Sequence, residues 1–293
     1  MSSPSQATYP VATAGVLLDF LTGCRPGTKK TTARQWLKFG LVEVNGQTVV
    51  QARHELKPGD VVTIGNKQQS VARSTLPLNL SIVFEDEHLI VVDKPHNLLS
   101  VSSDGEKERT VHAFLTDYIR GGNSRNSRRL WIVHRLDRAT SGLMIFARTE
   151  EAQQLLKEQW PEVEKTYLAL IKGELPQSQG TLVSHLDETS PVRVYSAPPS
   201  ERTRKAVTHY KVLKRKGNVQ LLELRLETGR RNQLRVQLAD EGCPILGDRI
   251  YGSAESAPRL ALHSTSLKFR HPVTGKQLSF ESPLPRSLAQ IVE

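Results

Sequence analysis

The chain has 293 residues, of which 38% are hydrophobic and 24% charged, an ordinary composition for a folded protein that excludes a largely disordered one. This length suits one large domain, or a medium domain with a small one. The formal net charge of +10 favours an anionic partner, and nucleic acid is the commonest such partner.

The beginning of the chain predicts a flexible terminus rather than a targeting segment. Residues 1–12 contain no basic segment followed by an apolar core, so we expect no signal peptide. No apolar run approaches the roughly 20 residues that a membrane helix needs. Cys24 and Cys243 lie far apart and the nine histidines lack ligand spacing, which argues against a disulfide or a metal site and favours the reducing cytoplasm.

Residues 13–66 predict a small basic unit of helices and strands. Two short helices are expected at 16–21 and 31–38, the second ended by Gly40 in a left-handed conformation. The pair Asn45-Gly46 predicts a tight hairpin turn between strands. We expect this unit to lie on a phosphate backbone.

The residues from 80 to 293 predict one large domain, which a polar linker at 67–79 joins to the small unit. A continuous apolar run at 143–147 and an alternating pattern at 222–226 predict strands. Residues 174–204 are rich in Ser, Pro and Thr and predict long loops. Because no strand–helix–strand rhythm or repeat appears, we expect an α+β fold with a mixed, largely antiparallel sheet.

Two helices are predicted within this domain. Thr149 should cap the first, and the acidic residues that follow suit its positive end. Leu234 and Leu238 lie one turn apart in the second, which Gly242 should end.

The run His134-Arg135-Leu136-Asp137-Arg138 stands directly before the apolar strand at 143–147. A polar turn in that position places side chains at the rim of a sheet, where clefts form. Arg135 and Arg138 can balance the charge of Asp137 and also grip phosphates. On these residues alone the alternative remains that Asp137 caps a turn and both arginines are solvated.

The stretch 134–143, HRLDRATSGL, resembles the catalytic signature HRLDxxTSGL of the RluA-type pseudouridine synthases. The resemblance covers about residues 80–285, because further blocks follow in the family's order. These blocks are Asp93-Lys94-Pro95, Lys165-Thr166-Tyr167-Leu168-Ala169, Thr228-Gly229-Arg230 with Gln233-Leu234-Arg235, Gly242-Cys243-Pro244-Ile245-Leu246-Gly247-Asp248, Leu260-Ala261-Leu262-His263 and His271-Pro272-Val273-Thr274-Gly275.

The small N-terminal unit resembles the alpha-L RNA-binding domain, through residues 40–46 and the turn Pro58-Gly59-Asp60. The chain departs from the pseudouridine synthase pattern at three positions. Arg231 stands where a threonine is usual. Asn232 and Gln237 stand where histidines are usual, which leaves the RNA contacts at those positions open.

The resemblance implies a mechanism that needs neither cofactor nor metal. Asp137 is the implied catalytic carboxylate, which attacks the anomeric carbon of ribose or removes a ribose proton. Arg230 is the implied arginine that pairs with Asp137. Tyr167 is the implied ring that stacks on the uracil, and a candidate to remove its carbon-5 proton; without the resemblance it would be read as a core tyrosine. Lys94 and Pro95 are expected to be structural.

The resemblance also implies RNA contacts. Leu234 should line the uracil pocket, and Arg135 should fill the space that a flipped-out base leaves. Further basic residues are candidate phosphate contacts. These are Arg138, Arg125, Arg128, Arg129, Lys38 and Arg34.

The function that these features predict is isomerisation of uridines in structured RNA by a monomer, with ribosomal RNA favoured and tRNA as the other candidate. A non-catalytic RNA-binding or ribosome-assembly factor is the alternative, and it would have no need of the full set of Asp137, Tyr167 and Arg230. A hydrolase based on Asp137 is disfavoured, because the chain shows no second carboxylate in a comparable motif and no GxSxG.

Overall fold

A computed structural model describes residues 7–25, 27–38, 42–49, 51–64, 75–102, 108–121, 127–252 and 257–293. These residues form two compact units. The first comprises Met1–Phe84 and Ser102–Leu130, and the second comprises Glu85–Val101 and Trp131–Glu293. No helix among the described residues is long and apolar enough to cross a membrane.

The first unit contains short strands and helices. They are β1 (Ala7–Pro10), β2 (Gly15–Val16), α1 (Leu17–Gly23), α2 (Lys30–Lys38), β3 (Val42–Val44), β4 (Gln47–Thr48), β5 (Glu55–Leu56), β6 (Val61–Ile64), β7 (Thr75–Leu76), β8 (Leu80–Glu85, which extends one residue beyond the unit) and α3 (Val111–Arg120).

The small sheet of this unit has the order β1-β6-β3-β4. Asn45 and Gly46 both have positive φ, 52° and 79°, which confirms the predicted hairpin turn between β3 and β4. Both helices pack against the sheet. Their buried residues Leu17, Leu21 and Leu37 share one hydrophobic core with strand residues of the sheet. The carboxylate of Asp60 accepts a hydrogen bond from the side-chain amide of Asn45 at 2.8 Å, which stabilises the hairpin turn.

The ends of this unit differ from the prediction where they are described. Ala7–Pro10 was expected to be loose but pairs with β6 along its whole length, because the edge of β6 offers main-chain partners. Part of the expected linker, Thr75–Leu76, forms β7 and pairs with β8. The expected end of α2 at Gly40 lies outside the described residues.

The second unit contains one large sheet with helices. Its elements are β9 (Leu89–Lys94), β10 (Trp131–Ile132), β11 (Ser141–Ala147), α4 (Glu150–Glu158), β12 (Glu164–Lys172), β13 (Gln179–Asp187), β14 (Tyr195–Ser196), β15 (Thr203–Lys216), β16 (Val219–Leu226), α5 (Gln233–Asp240), β17 (Leu262–Arg270), β18 (Gln277–Glu281) and α6 (Arg286–Ala289).

The strands of this unit are ordered β14-β13-β15-β16-β12-β17-β11-β9, with β10 beside β11 and β18 beside β17. The pair β11 and β17 is parallel, and the other pairs described within the unit are antiparallel. This confirms the α+β fold with a mixed, largely antiparallel sheet.

The parallel pair depends on Gly142 in β11, which lies opposite Ser264 in β17. Gly142 has a φ of +110°, and a Cβ at this position would overlap the Ser264 carbonyl oxygen. Only glycine combines this conformation with so close an approach of two backbones. Every residue of β11 is buried, as its apolar sequence predicts.

The predicted caps of this unit are confirmed, and one loop prediction is wrong. The Thr149 hydroxyl accepts a hydrogen bond from the Ala152 amide at 3.1 Å, and Gly242 has a φ of +70° just beyond α5. The segment at 174–204, expected to be loops, contains β13 and β14. Leu182 and Leu186 of β13 are buried and its main chain pairs with β15 along its length, so sheet pairing outweighs the polar composition.

Candidate active site

In the loop between β10 and β11, contacts of His134 and Leu136 anchor the chain on either side of Arg135 and position Asp137. The Nε2 atom of His134 accepts a hydrogen bond from the Ile145 amide at 3.0 Å, and its ring lies on Trp160 with centroids 4.4 Å apart. Burial lowers the pKa of His134 to about 3, so the ring is neutral and acts as an acceptor. Leu136 is buried, and its amide donates to the Ser100 hydroxyl at 3.1 Å.

Asp137 turns its side chain into a cleft, while its main chain makes the turn. Its carbonyl oxygen accepts the Thr140 amide hydrogen at 3.2 Å. Its carboxylate oxygen Oδ2 lies 3.4 Å from Nη1 of Arg235 on α5. The side chain is 28% exposed, which leaves it accessible to a substrate. The carboxylate therefore is not a turn cap.

Lys94 supports this loop from below. Its ammonium group is fully buried and donates hydrogen bonds to three carbonyl oxygens, those of Pro95 at 3.0 Å, Leu98 at 2.8 Å and Arg138 at 3.2 Å. Burial lowers the pKa of Lys94 to about 7, and the charge of Asp137 opposes the shift. The three acceptors also favour the charged ammonium. These contacts to main chain are structural, as predicted.

Arg235 is held on three sides. Asp248 binds it in a fork, with Nε and Nη2 each 2.7 Å from a carboxylate oxygen. Nη1 also donates to the side-chain oxygen of Asn232 at 3.0 Å. The Arg235 side chain is 8% exposed and that of Asp248 is fully buried. Asp248 takes Nε and Nη2, and Nη1 is shared between Asn232 and a longer contact to Asp137.

The predicted pairing of Asp137 with Arg230 is wrong. Arg230 is exposed, and its Nε donates to the Lys205 carbonyl oxygen at 3.2 Å. The partner of Asp137 is Arg235, because Asn232 adopts a left-handed conformation with a φ of 54° and starts α5 between the two arginines. The sequence signal that favours Arg235 as the partner is its place in the predicted helix, directly after Leu234, which is expected to line the uracil pocket.

Tyr167 on β12 faces the same cleft. It is 8% exposed. Burial raises the pKa of Tyr167 to about 12; the Ser264 hydroxyl opposes the shift and the charge of Asp137 adds to it. The phenol is therefore protonated at neutral pH.

These groups line a cavity of about 250 Å³, near the lower end of the range for small-molecule sites. Asp137 is the one carboxylate among the described residues that line it. Its walls are otherwise apolar, basic or amide side chains and main chain. The lining residues are Arg135, Leu136, Asp137, Thr140, Tyr167, Leu226, Gly229, Arg230, Arg231, Asn232, Gln233, Leu234, Arg235 and Leu262.

The other predicted contact residues fall in different places. Leu234 is 5% exposed and lines this cavity, as does the exposed Arg135. Arg138 is exposed and lines a second cavity, described below. The remaining candidates belong to the first unit: Arg34, Arg128 and Arg129 are exposed, the side chain of Lys38 is not described, and Arg125 lies outside the described residues.

The two residues that stand where the family has histidines have different surroundings. Asn232 contacts Arg235 and donates to the Tyr251 hydroxyl at 3.2 Å, so it adjoins the site. Gln237 is buried; it accepts from the Thr208 hydroxyl at 2.7 Å and donates to the Ala206 carbonyl oxygen at 3.1 Å. Gln237 is therefore a packing residue. Asp248 ends one of the motif blocks of the resemblance and Tyr251 lies just after it, but the sequence predicts no role for either.

Comparisons with known proteins show which family the chain resembles. The family model of the RNA pseudouridylate synthases matches residues 88–240. A relative from Xanthomonas campestris, named ribosomal large subunit pseudouridine synthase D, is 35% identical over 99% of this chain and 92% of its own length. A relative of the same name from Vibrio cholerae is 34% identical over 89% of this chain and 85% of its own.

A solved structure also resembles the chain. The human RNA pseudouridylate synthase domain containing 4 superposes with a TM-score of 0.59 at 25% identity, over 71% of this chain and 90% of the human one.

Proposed function

Because the chain belongs to the RluA-type RNA pseudouridylate synthase family and is an isomerase that acts on RNA, we propose that Asp137 is its catalytic carboxylate and that Arg235 orients it. The observation that carries this proposal is the contact between the two residues in the wall of a cavity that Tyr167 and Leu234 also line.

The long contact suits a nucleophile. A carboxylate in a tight, doubly hydrogen-bonded ion pair would lose reactivity, whereas Asp137 keeps one oxygen outside the contact. Asp248 holds the guanidinium in place, so Asp137 is oriented without being saturated. In the reaction Asp137 attacks the anomeric carbon or removes a ribose proton, and the bond from ribose to uracil nitrogen 1 breaks.

The detached uracil must then turn within the cavity before its carbon 5 bonds to ribose. Leu234 and the Tyr167 ring provide an apolar surface on which the base can rotate while it is held. Since Tyr167 keeps its proton at neutral pH, its phenol is a stacking group and a hydrogen-bond donor. When the new bond forms, Asp137 leaves the anomeric carbon in the first route or returns the ribose proton in the second, so its carboxylate is free again. The base that then takes the carbon-5 proton is Asp137, the one carboxylate among the described lining residues.

We further propose large-subunit ribosomal RNA as the substrate. Relatives named ribosomal large subunit pseudouridine synthase D support this, since they match most of the chain. The small N-terminal unit at residues 13–66 would hold that RNA by its exposed basic side chains, of which Arg34 is one. We assign the chain to the cytoplasm as a monomer that needs no metal.

Release of tritium to water tests this function. RNA carrying tritium at uridine carbon 5 loses the label when pseudouridine forms. Purified protein should release label from large-subunit ribosomal RNA of its own cell but not from tRNA of that cell. Release from tRNA alone would overturn the proposed substrate, and release from neither would overturn the function.

A further inference from the structure

A second cavity of about 370 Å³ adjoins the first one. The two cavities share Asp137 and Arg235 as lining residues, so these side chains form the boundary between them. The other described walls come from the turn after β9, from Arg138 and Ala139 beside Asp137, and from residues 247–250 and 258–260 between α5 and β17. Gly247 brings these last two segments together: its φ is +72°, and a Cβ there would overlap the Arg259 carbonyl oxygen.

Arg259 lines the second cavity and forms no ion pair with any residue that the structure describes. Arg259 is half-buried; its guanidinium donates to the Ser141 hydroxyl at 2.5 Å and to the Leu260 carbonyl oxygen at 3.2 Å. Within the described part of the chain it has no carboxylate partner, and burial lowers its pKa. A partly desolvated guanidinium without an anion costs free energy, which a bound anion would offset.

Further positive groups lie at the rim. Arg138 and Arg249 are exposed and make no side-chain hydrogen bond or ion pair to any residue that the structure describes. Among the described residues that line the cavity, the acidic ones are Asp137 and Asp248, and both already contact Arg235. The cavity therefore has an excess of positive charge next to the reacting carboxylate, as a phosphate-binding site does.

The cavity also has apolar walls. Leu260 is buried, whereas Ile250 is an exposed large hydrophobic residue at 44%. An apolar surface beside arginines suits a nucleotide better than a free phosphate ion, because the base can lie on the apolar wall while the arginines hold its phosphate.

We propose that this second cavity binds the nucleotide that adjoins the target uridine in the RNA strand, with Arg249, Arg138 and Arg259 holding the phosphodiester. The proposal rests on the proposed function. If Asp137 reaches the ribose of the target uridine, the adjoining nucleotide of the strand must lie beside Asp137, where the second cavity is. The cavity then contributes to the choice of the uridine as well as to the affinity for RNA.

The first test measures binding of the full chain to an unmodified large-subunit ribosomal RNA transcript over a range of salt concentrations. Arg249→Ala should weaken binding about 5–10-fold and reduce the slope of log affinity against log salt by about 0.7–0.9, the change for one lost phosphate contact. Arg249→Lys keeps the charge but loses the forked guanidinium, so its affinity for RNA should lie between that of Arg249→Ala and that of the unaltered protein.

Arg270→Ala is the matched control. Arg270 is exposed at the far end of β17, about 26 Å from Leu262 at roughly 3.3 Å per residue, and removing it changes the charge equally. Its slope should equal that of the unaltered protein. A salt slope for Arg249→Ala equal to that of the unaltered protein would overturn the proposal.

The second test asks which phosphate is held. Once the modified uridine has been located, the phosphates on each side of it are replaced in turn by a neutral methylphosphonate. At one of them, the losses from Arg249→Ala and from the substitution should not add. Additive losses at both would overturn the proposal. Absence of tritium release by the unaltered protein would instead overturn the function, and a changed salt slope would still report an anion site.

Discussion

The side chain of Arg235 joins two carboxylates that differ in their task. Asp248 is buried and takes the strong fork, while Asp137 faces the cleft at a longer distance. A buried residue thus fixes the cation, and the cation in turn orients the reacting group. This division explains why an aspartate can be both oriented and accessible.

Conservative substitutions separate Arg235 from Arg230. Arg235→Lys keeps the charge but loses the fork to Asp248, so we expect kcat to fall about 100-fold or more. Arg230→Lys should change kcat by less than about 10-fold, because the Arg230 side chain hydrogen-bonds to main chain and not to Asp137 among the described residues. Steady-state tritium release measures both, with thermal unfolding as the check on folding. A larger loss in Arg230→Lys would contradict the assignment.

His134 should make the protein sensitive to acid. Its pKa is lowered to about 3 in the folded chain from an ordinary value near 6.5, so between those pH values the unfolded chain binds more protons. Stability contributed by the neutral ring is therefore complete above about pH 6.5 and is lost as the pH falls towards 3.

His134→Gln removes this titration and retains an acceptor for the Ile145 amide. Between pH 6 and pH 5 the free energy of unfolding of the unaltered protein should fall by about 1 kcal/mol more than that of the variant, measured by urea denaturation. Parallel pH profiles would show that His134 is not the group responsible.

At the scale of elements, the parallel pair of β11 and β17 positions the site. It places the start of β11, directly after the loop of Asp137, beside Ser264, which lies opposite Tyr167 on β12. Gly142 permits this approach. Much of this unit follows from the sequence, since the apolar run of β11 and the cap at Thr149 are visible in it.

Gly142→Ala tests the approach of these strands. The added Cβ would overlap main chain of Ser264 in a backbone conformation that alanine disfavours, so we expect a loss of stability above about 3 kcal/mol. Gly217→Ala is the control, because Gly217 also has a positive φ but no atom within 4 Å of the added Cβ. It should cost about 1 kcal/mol. Equal losses in urea denaturation would contradict the importance of the close approach.

Other elements could not be predicted, for physical reasons. The sequence shows three arginines near α5, and the left-handed turn at Asn232 decides which of them faces Asp137. A turn of that kind has no strong sequence signature. The strand β13 has a polar composition and is held by pairing with β15, a long-range interaction that local propensity does not report.

At the scale of the whole molecule, the net charge of +10 contributes to RNA binding and the site carries out the reaction. Charge governs the affinity for RNA and its dependence on salt, whereas the cleft around Asp137 governs the chemistry. Loss of the carboxylate should therefore separate the two properties. The family could be recognised from the sequence because the motif blocks lie in order along the chain, although they meet only in the folded protein.

The most direct test is the pseudouridine content of large-subunit ribosomal RNA after incubation with the protein and with Asp137→Asn, measured by nuclease digestion and chromatography. The unaltered protein should form pseudouridine, and Asp137→Asn should lower the rate by at least about 1,000-fold while RNA affinity stays within a few-fold. Continued pseudouridine formation by Asp137→Asn, or a loss of binding equal to the loss of turnover, would contradict the catalytic role of Asp137.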